Sequence, residues 1–317
     1  MNLIHRQAIY RDFCRKYGDQ LPIFYQDWYL DALSQENVWD VAWVENNDKI
    51  ICVMPFFVKR KLGFKFAYMP LFYKFGGPFV VPEFRITSKL EQKTLKLLCE
   101  KLPELDEWQV CFRPEIDNWL PFYWSGFRQT TFYTYRIHNL HDILSAYERI
   151  TNDYRRRIRN AQDLFYLSDA LTIDTVYELG KEPFDRINRA FPISSRYVTE
   201  LHKHLEAHNQ AKYFIACDKE HRPHAVFYVM WDAHNAYALI KGTSPSHKGS
   251  DASIWVVWKA LEWIAQNTNV ETFDFLGSML PTIEPFMRQF GAIQTPYFSM
   301  SKTNSRLLSI LKYIKNQ

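Results

Sequence analysis

Three successive apolar stretches lie near the start of the chain, Val41 to Val44, Ile50 to Val58 and Phe64 to Met69, with a polar turn at Glu45 to Lys49 and a basic turn before Phe64. That spacing predicts a three-strand antiparallel meander. The pattern returns at Tyr213 to Cys217, Ala225 to Trp231 and Ala236 to Lys241, with turns at Asp218 to Pro223 and Asp232 to Asn235. A helical stretch precedes each meander and follows a Pro-Ile pair: Trp28 to Leu33 after Pro22-Ile23, and Tyr197 to Leu205 after Pro192-Ile193. Each meander is followed by a helix and a lone strand, Ser88 to Leu102 with Trp108 to Arg113, and Ala252 to Gln266 with Thr272 to Leu276. Both copies close on a glycine, a Gln-Thr pair and an aromatic strand: Gly126, Gln129-Thr130, Phe132 to Arg136, and Gly291, Gln294-Thr295, Tyr297 to Lys302. So long an ordered series of matches predicts two tandem copies of one unit.

The element order of helix, meander, helix, strand, helix, strand differs from the strict alternation of a doubly wound sheet. It predicts an α/β fold of α+β type, a mixed sheet with helices on both faces. The units are placed at 1–137 and 138–317. A basic helix, 141–163, leads the second: Leu140, Leu144, Tyr147 and Ile150 have helical spacing up to Tyr154-Arg155-Arg156-Arg157-Ile158-Arg159. Leu164 to Leu167 is expected to be a strand, and Thr172 to Arg189 a helix kinked at Pro183.

Composition narrows the class. At 317 residues the chain is long for one core and comfortable for two, and 47% apolar with 23% charged residues excludes disordered and collagen-like chains. The longest apolar run, Ile50 to Val58, is interrupted by Pro55 and too short to cross a bilayer. Met1 to Tyr17 lacks the apolar segment of a signal peptide, so a cytoplasmic location is expected. Thirty-nine basic against thirty-five acidic side chains leave +4, too mild to argue for DNA. The five cysteines are odd in number and widely spread, and read as reduced thiols. Aromatic residues make up 17%, which suits thick cores or a broad aromatic cleft.

The stretches Phe273-Asp274-Phe275-Leu276-Gly277-Ser278, Pro281 to Gly291 (ending Phe286-Met287-Arg288-Gln289-Phe290-Gly291) and Pro296-Tyr297-Phe298 carry a resemblance. Arg155 to Ala161 adds to it, as does, more weakly, Phe75-Gly76-Gly77-Pro78. With the element order, they resemble the GNAT N-acetyltransferase superfamily, in its duplicated branch of Fem peptidyltransferases and acetyltransferase-like proteins. The resemblance implies two tandem GNAT-like units and an acyl- or aminoacyl-transferase. Its acyl donor would be coenzyme A bound where two strands splay apart, and its acceptor an amine on a small molecule or cell-wall-precursor-like compound. Two alternatives stay open: aminoacyl-tRNA-dependent peptidyl transfer, and a non-catalytic binding protein on the same fold. Met287 stands where many Fem ligases carry lysine, and no long helical hairpin is inserted, so tRNA is the less favoured donor.

Candidate site residues follow. For acid-base and carbonyl chemistry they are Glu284, Asp274, Tyr297 and Lys241. The loop Gly242 to Ala252, with Ser246, Lys248 and Gly249, is the candidate phosphate cradle, joined by Gly277 and Ser278. Ser246 and Asp251 replace residues of the superfamily's usual loop spelling, and a helix-capping loop is the rival reading. Arg155, Arg159, Phe286 and Arg288 are candidate substrate contacts, guanidinium groups suiting phosphate, while Asp153 is expected to pair with Arg157. Asp274 faces either a cleft or a buried hydrogen-bond network. Met287 is expected to form an apolar wall of the site. His204 and His208 lie one helical turn apart without further ligands, so no metal is expected.

Overall fold

The computed structural model describes residues 2–34, 38–85, 87–185, 188–244, 246 and 250–315. Along the chain run α1 (Leu3–Tyr17), α2 (Asp27–Ala32), β1 (Val38–Asn46), β2 (Lys49–Lys61), β3 (Phe64–Tyr68), β4 (Phe79–Val80), α3 (Ser88–Lys101), β5 (Glu107–Cys111), α4 (Leu120–Trp124) and β6 (Arg128–His138). They continue as α5 (Ile143–Arg149), α6 (Asn152–Ala161), β7 (Tyr166–Leu167), α7 (Ile173–Asp185), α8 (Ser195–Ala207), β8 (Ala211–Cys217), β9 (Pro223–Trp231) and β10 (Asn235–Thr243). The last are α9 (Ala252–Asn267), β11 (Thr272–Asp274), α10 (Glu284–Gln289), β12 (Ile293–Thr303) and α11 (Arg306–Lys315). Pro183 lies inside α7, which ends two residues later. Helix starts are fixed locally: the side chains of Asn2, Thr87, Asp142 and Ser194 accept hydrogen bonds from the backbone amides of the first turns of α1, α3, α5 and α8.

Two compact units result, Met1–Phe132 with Pro296–Gln317, and Tyr133–Thr295. Strand order in the first is β1-β2-β3-β5-β12, with β4 also on β2; in the second it is β6-β11-β10-β9-β8-β7. Each sheet is mixed, since β3 runs parallel to β5 and β10 parallel to β11 while the other pairs are antiparallel. The closing strands have changed places relative to the repeat. β12, which closes the second copy in sequence, pairs with β5 of the first unit from Ser299↔Cys111 to Thr303↔Glu107. β6, which closes the first copy, gives Arg136 to His138 to β11 in the second unit. Packing thus assigns 296–317 to the first unit, where the repeat read from sequence places it in 138–317.

Period-2 burial explains the layers of the second unit. Ala225, Phe227 and Val229 of β9 pack with Phe214, Phe273 and Ile137 under Val257, Leu261 and Ile264 of α9. The alternate residues Val226, Tyr228 and Met230 are equally sealed, and Tyr228 meets His202 of α8 on the opposite face. A strand buried on both sides reads as an almost unbroken apolar run, as Ala225 to Trp231 does. In the first unit Cys52, Met54 and Phe56 of β2 pack with Trp108 and Val110 of β5 under Leu95 and Leu98 of α3. Among the described residues no helix is long and apolar enough to cross a membrane.

Candidate active site

Strands β10 and β11 share only three pairs, Asn235↔Thr272, Ala236↔Phe273 and Tyr237↔Asp274. β10 then shifts register between Ala238 and Ile240 and stays with β9 as far as Thr243↔Ala225. β11 stops at Asp274, and Leu276 and Gly277 both take left-handed backbone, each at φ 56°. Beyond Tyr237, no strand among the described residues continues along that side of β10. This leaves a wedge between two parallel strands.

The matching place in the first unit is filled by its own chain. β3 pairs with β5 at Phe66↔Glu107 and Ala67↔Trp108, and the chain then loops back so that the Gly76 amide donates to the Cys111 carbonyl at 2.7 Å. Phe79 and Val80 next pair with Val53 and Cys52 of β2, where β3 would otherwise have run on. The Tyr25 hydroxyl pins this segment, reaching the carbonyls of Gly76 and Gly77 at 2.6 and 3.1 Å. Gly77, at φ 91°, passes so close to Phe112 that a Cβ would stand 2.6 Å from the ring. The glycines of Phe75-Gly76-Gly77-Pro78 therefore serve to seat a plug.

The Phe273 to Ser278 motif is a latch on β6. Asp274 is fully buried, accepts from the Thr134 hydroxyl, from Arg136 Nε at 2.7 Å and from the Leu276 amide at 2.7 Å. Of the two readings of Asp274, the geometry is that of a buried network. A Cβ on Gly277 would lie 2.4 Å from the Tyr133 carbonyl oxygen, so the glycine permits the approach of two backbones. Ser278 Oγ accepts from the Leu280 amide at 3.1 Å, closing the turn toward α10.

Around the start of α10 the structure gathers Glu284, Phe286, Arg288 and Lys241. Arg288 Nε donates to Glu284 Oε1 at 2.9 Å. The Tyr135 hydroxyl is hydrogen-bonded to the same carboxylate, which these partners hold below the usual carboxylate range against a burial effect of opposite sign. Burial and the neighbouring carboxylate push the Tyr135 phenol up, and Gln294 Nε2 donates to its oxygen at 3.0 Å. Lys241 Nζ sits 3.8 Å from the centroid of Phe286, whose ring packs on Tyr154 and Phe290. The result is a chain, Gln294 to Tyr135 to Glu284 to Arg288, beside a cation over an aromatic face. Tyr135 and Gln294 escape a sequence reading. Their partners lie about 150 residues away, as the 159-residue separation of Tyr135 from Gln294 shows.

Other candidates lie elsewhere. Tyr297 belongs to the first unit, edge-on to Phe75 and Phe132 with Lys74 over its ring. Met287 is 3% exposed and part of the second unit's core, which corrects its expected place as a wall of the site: α10 turns that face inward. Gly242 has Leu179 of α7 against it, where a Cβ would meet the carbonyl oxygen at 2.0 Å, so close helix packing alone accounts for it. Ser246 is exposed; Lys248 and Gly249 lie outside the described residues. Arg155 donates to Asn152, and Arg159 is exposed. The expected Asp153 pairing is corrected too: Asp153 pairs with Arg156 at 2.6 Å, three positions on. Arg157 instead reaches Asp251, the residue before α9, at 2.5 Å. Among the described residues no group of His, Cys, Asp or Glu could hold a metal.

Residues 148–286 match the family model described as Acetyltransferase (GNAT) domain. The whole chain overlays on the crystal structure of FemX with a TM-score of 0.65 at 12% identity, covering 94% of this chain and 96% of that one. The chain has a duplicated GNAT fold. A tandem GNAT protein from the clavulanic acid biosynthesis pathway is similar over 95% of both chains, with a TM-score of 0.55 and 10% identity. L-PGS from Bacillus licheniformis is similar over 98% of this chain and 96% of its own, with a TM-score of 0.56 and 10% identity. No curated protein matches by sequence.

Proposed function

We propose that this GNAT-fold chain is an N-acyltransferase that takes an acyl group from a coenzyme A thioester to an amine, with its donor slot in the second unit. The observation that carries this reading is the parting of β10 from β11, set against the filled gap in the first unit. A strand edge left without a neighbouring strand offers backbone groups to an extended ligand bearing amides, as in strand addition. The start of α9 adds amide donors for phosphate. Ser250 Oγ, buried and without a hydrogen-bond partner among the described residues, fits that use. Asp251 opposes an anion there, and Arg157 offsets its charge.

When bound, the thioester supplies an activated carbonyl: the amine nitrogen bonds to its carbon, the C–S bond breaks, and the thiolate leaves. The chain's own residues orient and exclude. Glu284, kept ionised by Arg288 and Tyr135, is suited to hold the acceptor ammonium by charge, and its weakened proton affinity makes it a poor base near neutrality. The ammonium gives one proton to water before its nitrogen can attack, and the second, lost as the amide forms, is taken up by the departing thiolate. Tyr135 keeps its own proton and can donate a hydrogen bond. Lys241 over Phe286 is placed to bind a carboxylate or polarise a carbonyl.

Titration calorimetry with acetyl-coenzyme A, followed by mass spectrometry of amine-bearing candidates including cell-wall-precursor-like compounds, tests the reading. One donor bound per chain and acylated products are expected. Binding of aminoacyl-tRNA with no response to coenzyme A would replace the donor.

A further inference from the structure

The helix α11 leaves most of its apolar surface uncovered. Leu307, Ile310, Leu311 and Ile314 are 56, 57, 49 and 64% exposed, and Tyr313 is 68% exposed. At about 100° per residue, those four aliphatic positions fall on one arc of about 100°. Seating is on the other side: Leu308 is 9% exposed, and Lys312, one turn further on, pairs with Glu107 at 2.5 Å. The apolar stripe therefore points away from the unit that holds the helix.

Charge says what fits it. From Pro285 to Gln317 the chain contains no Asp or Glu, while Arg288, Lys302, Arg306, Lys312 and Lys315 all fall there. Helical register sets Arg306 and Tyr313 at one margin of the stripe. Aliphatic side chains on one arc, an aromatic residue and a base at its edge and a terminal segment with basic but no acidic residues suit a helix lying in a lipid surface, with its stripe among acyl chains and its basic charge at headgroup phosphates. The helix is far too short to span.

We infer that α11 docks the protein on an anionic bilayer surface, independently of the acyl-transfer reading. The short stripe and few bases make this binding weak, reversible and salt-sensitive.

The test is sedimentation of the full chain with phosphatidylcholine vesicles containing about one-third phosphatidylglycerol, against vesicles of phosphatidylcholine alone. Binding to the anionic vesicles, lost in high salt, is expected. The triple variant Leu307→Ser, Ile310→Ser, Ile314→Ser should lower the bound fraction at least about fivefold with an unchanged thermal midpoint, because all three side chains are exposed. The double variant Arg306→Glu, Lys315→Glu should act in the same direction. No sedimentation of the wild-type chain overturns the inference, and so does binding that survives the triple variant. Self-association that the triple variant abolishes, seen by light scattering without lipid, also overturns it by assigning the stripe to a second copy.

Discussion

Arg136 holds the carboxylate of Asp274 at 2.7 Å with both side chains shut away from solvent, 7 and 0% exposed. A buried pair of this kind adds little to stability compared with an apolar substitute, but breaking it strands a charge. Asp274→Ala is expected to lower unfolding free energy by about 3–5 kcal/mol. Chemical denaturation checks this, and a loss below about 1 kcal/mol would mean that Arg136 readily finds solvent or another partner.

Glu284→Gln keeps the shape of the site and removes its charge. Because Glu284 lies at the surface with Arg288, folding should be unaffected by circular dichroism. Amine acylation should fall severely, with the larger part of the loss in KM for the amine if the carboxylate holds an ammonium. Full activity in the variant would remove Glu284 from the site.

The plug in the first unit can be tested by adding one carbon. Gly77→Ala must relieve a 2.6 Å approach to Phe112 at φ 91°, and should cost more than about 1 kcal/mol. Calorimetry on the unmodified chain should give one coenzyme A site. Two equal sites would show that the segment from Phe75 to Val80 gives way.

His202 provides a pH signature. Its Nδ1 is 2.9 Å from the Tyr228 hydroxyl, and burial lowers its pKa even though Glu206 acts the other way. The folded chain therefore binds this proton more weakly than the unfolded chain. Stability is complete above the unfolded value of about 6.5 and declines as pH falls from there through the folded value. Urea midpoints at pH 7.5 and 5.5 should differ less in His202→Gln than in the parent protein.

Met287→Lys places an ammonium in the core of the second unit. It should destabilise the protein more than Met287→Ala, for which about 2–5 kcal/mol is usual, and should create no tRNA-dependent transfer. A folded, tRNA-active variant would contradict both the burial and the donor assignment.

The meanders, their following helices and the order of elements were legible because each is a local pattern, an apolar run between polar turns for a strand or a period of 3.6 for a helix. The repeat was legible for the same reason, and so was the GNAT resemblance built on it. The site was only partly so. Asp274 and Gly277 stand out in sequence, yet their contacts run to Thr134, Arg136 and Tyr133 on β6. Nothing near Phe132 to Arg136 in the chain signals that partnership, because it depends on a closing strand leaving its own copy. Tyr135 was hidden for the same reason. Met287 was misplaced because six residues of α10 carry too short a pattern to tell which face turns inward.

The exchanged closing strands also constrain how the protein is made. β5 waits for Ser299 to Thr303, nearly two hundred residues further along the chain, before its outer edge is paired. During synthesis the first sheet must persist with that edge bare while the second unit is built, and pairing of such long sequence separation is slow to form. The first unit, though begun first in the message, is completed last, and a ribosome stalled before residue 299 would hold it with an open, aggregation-prone edge.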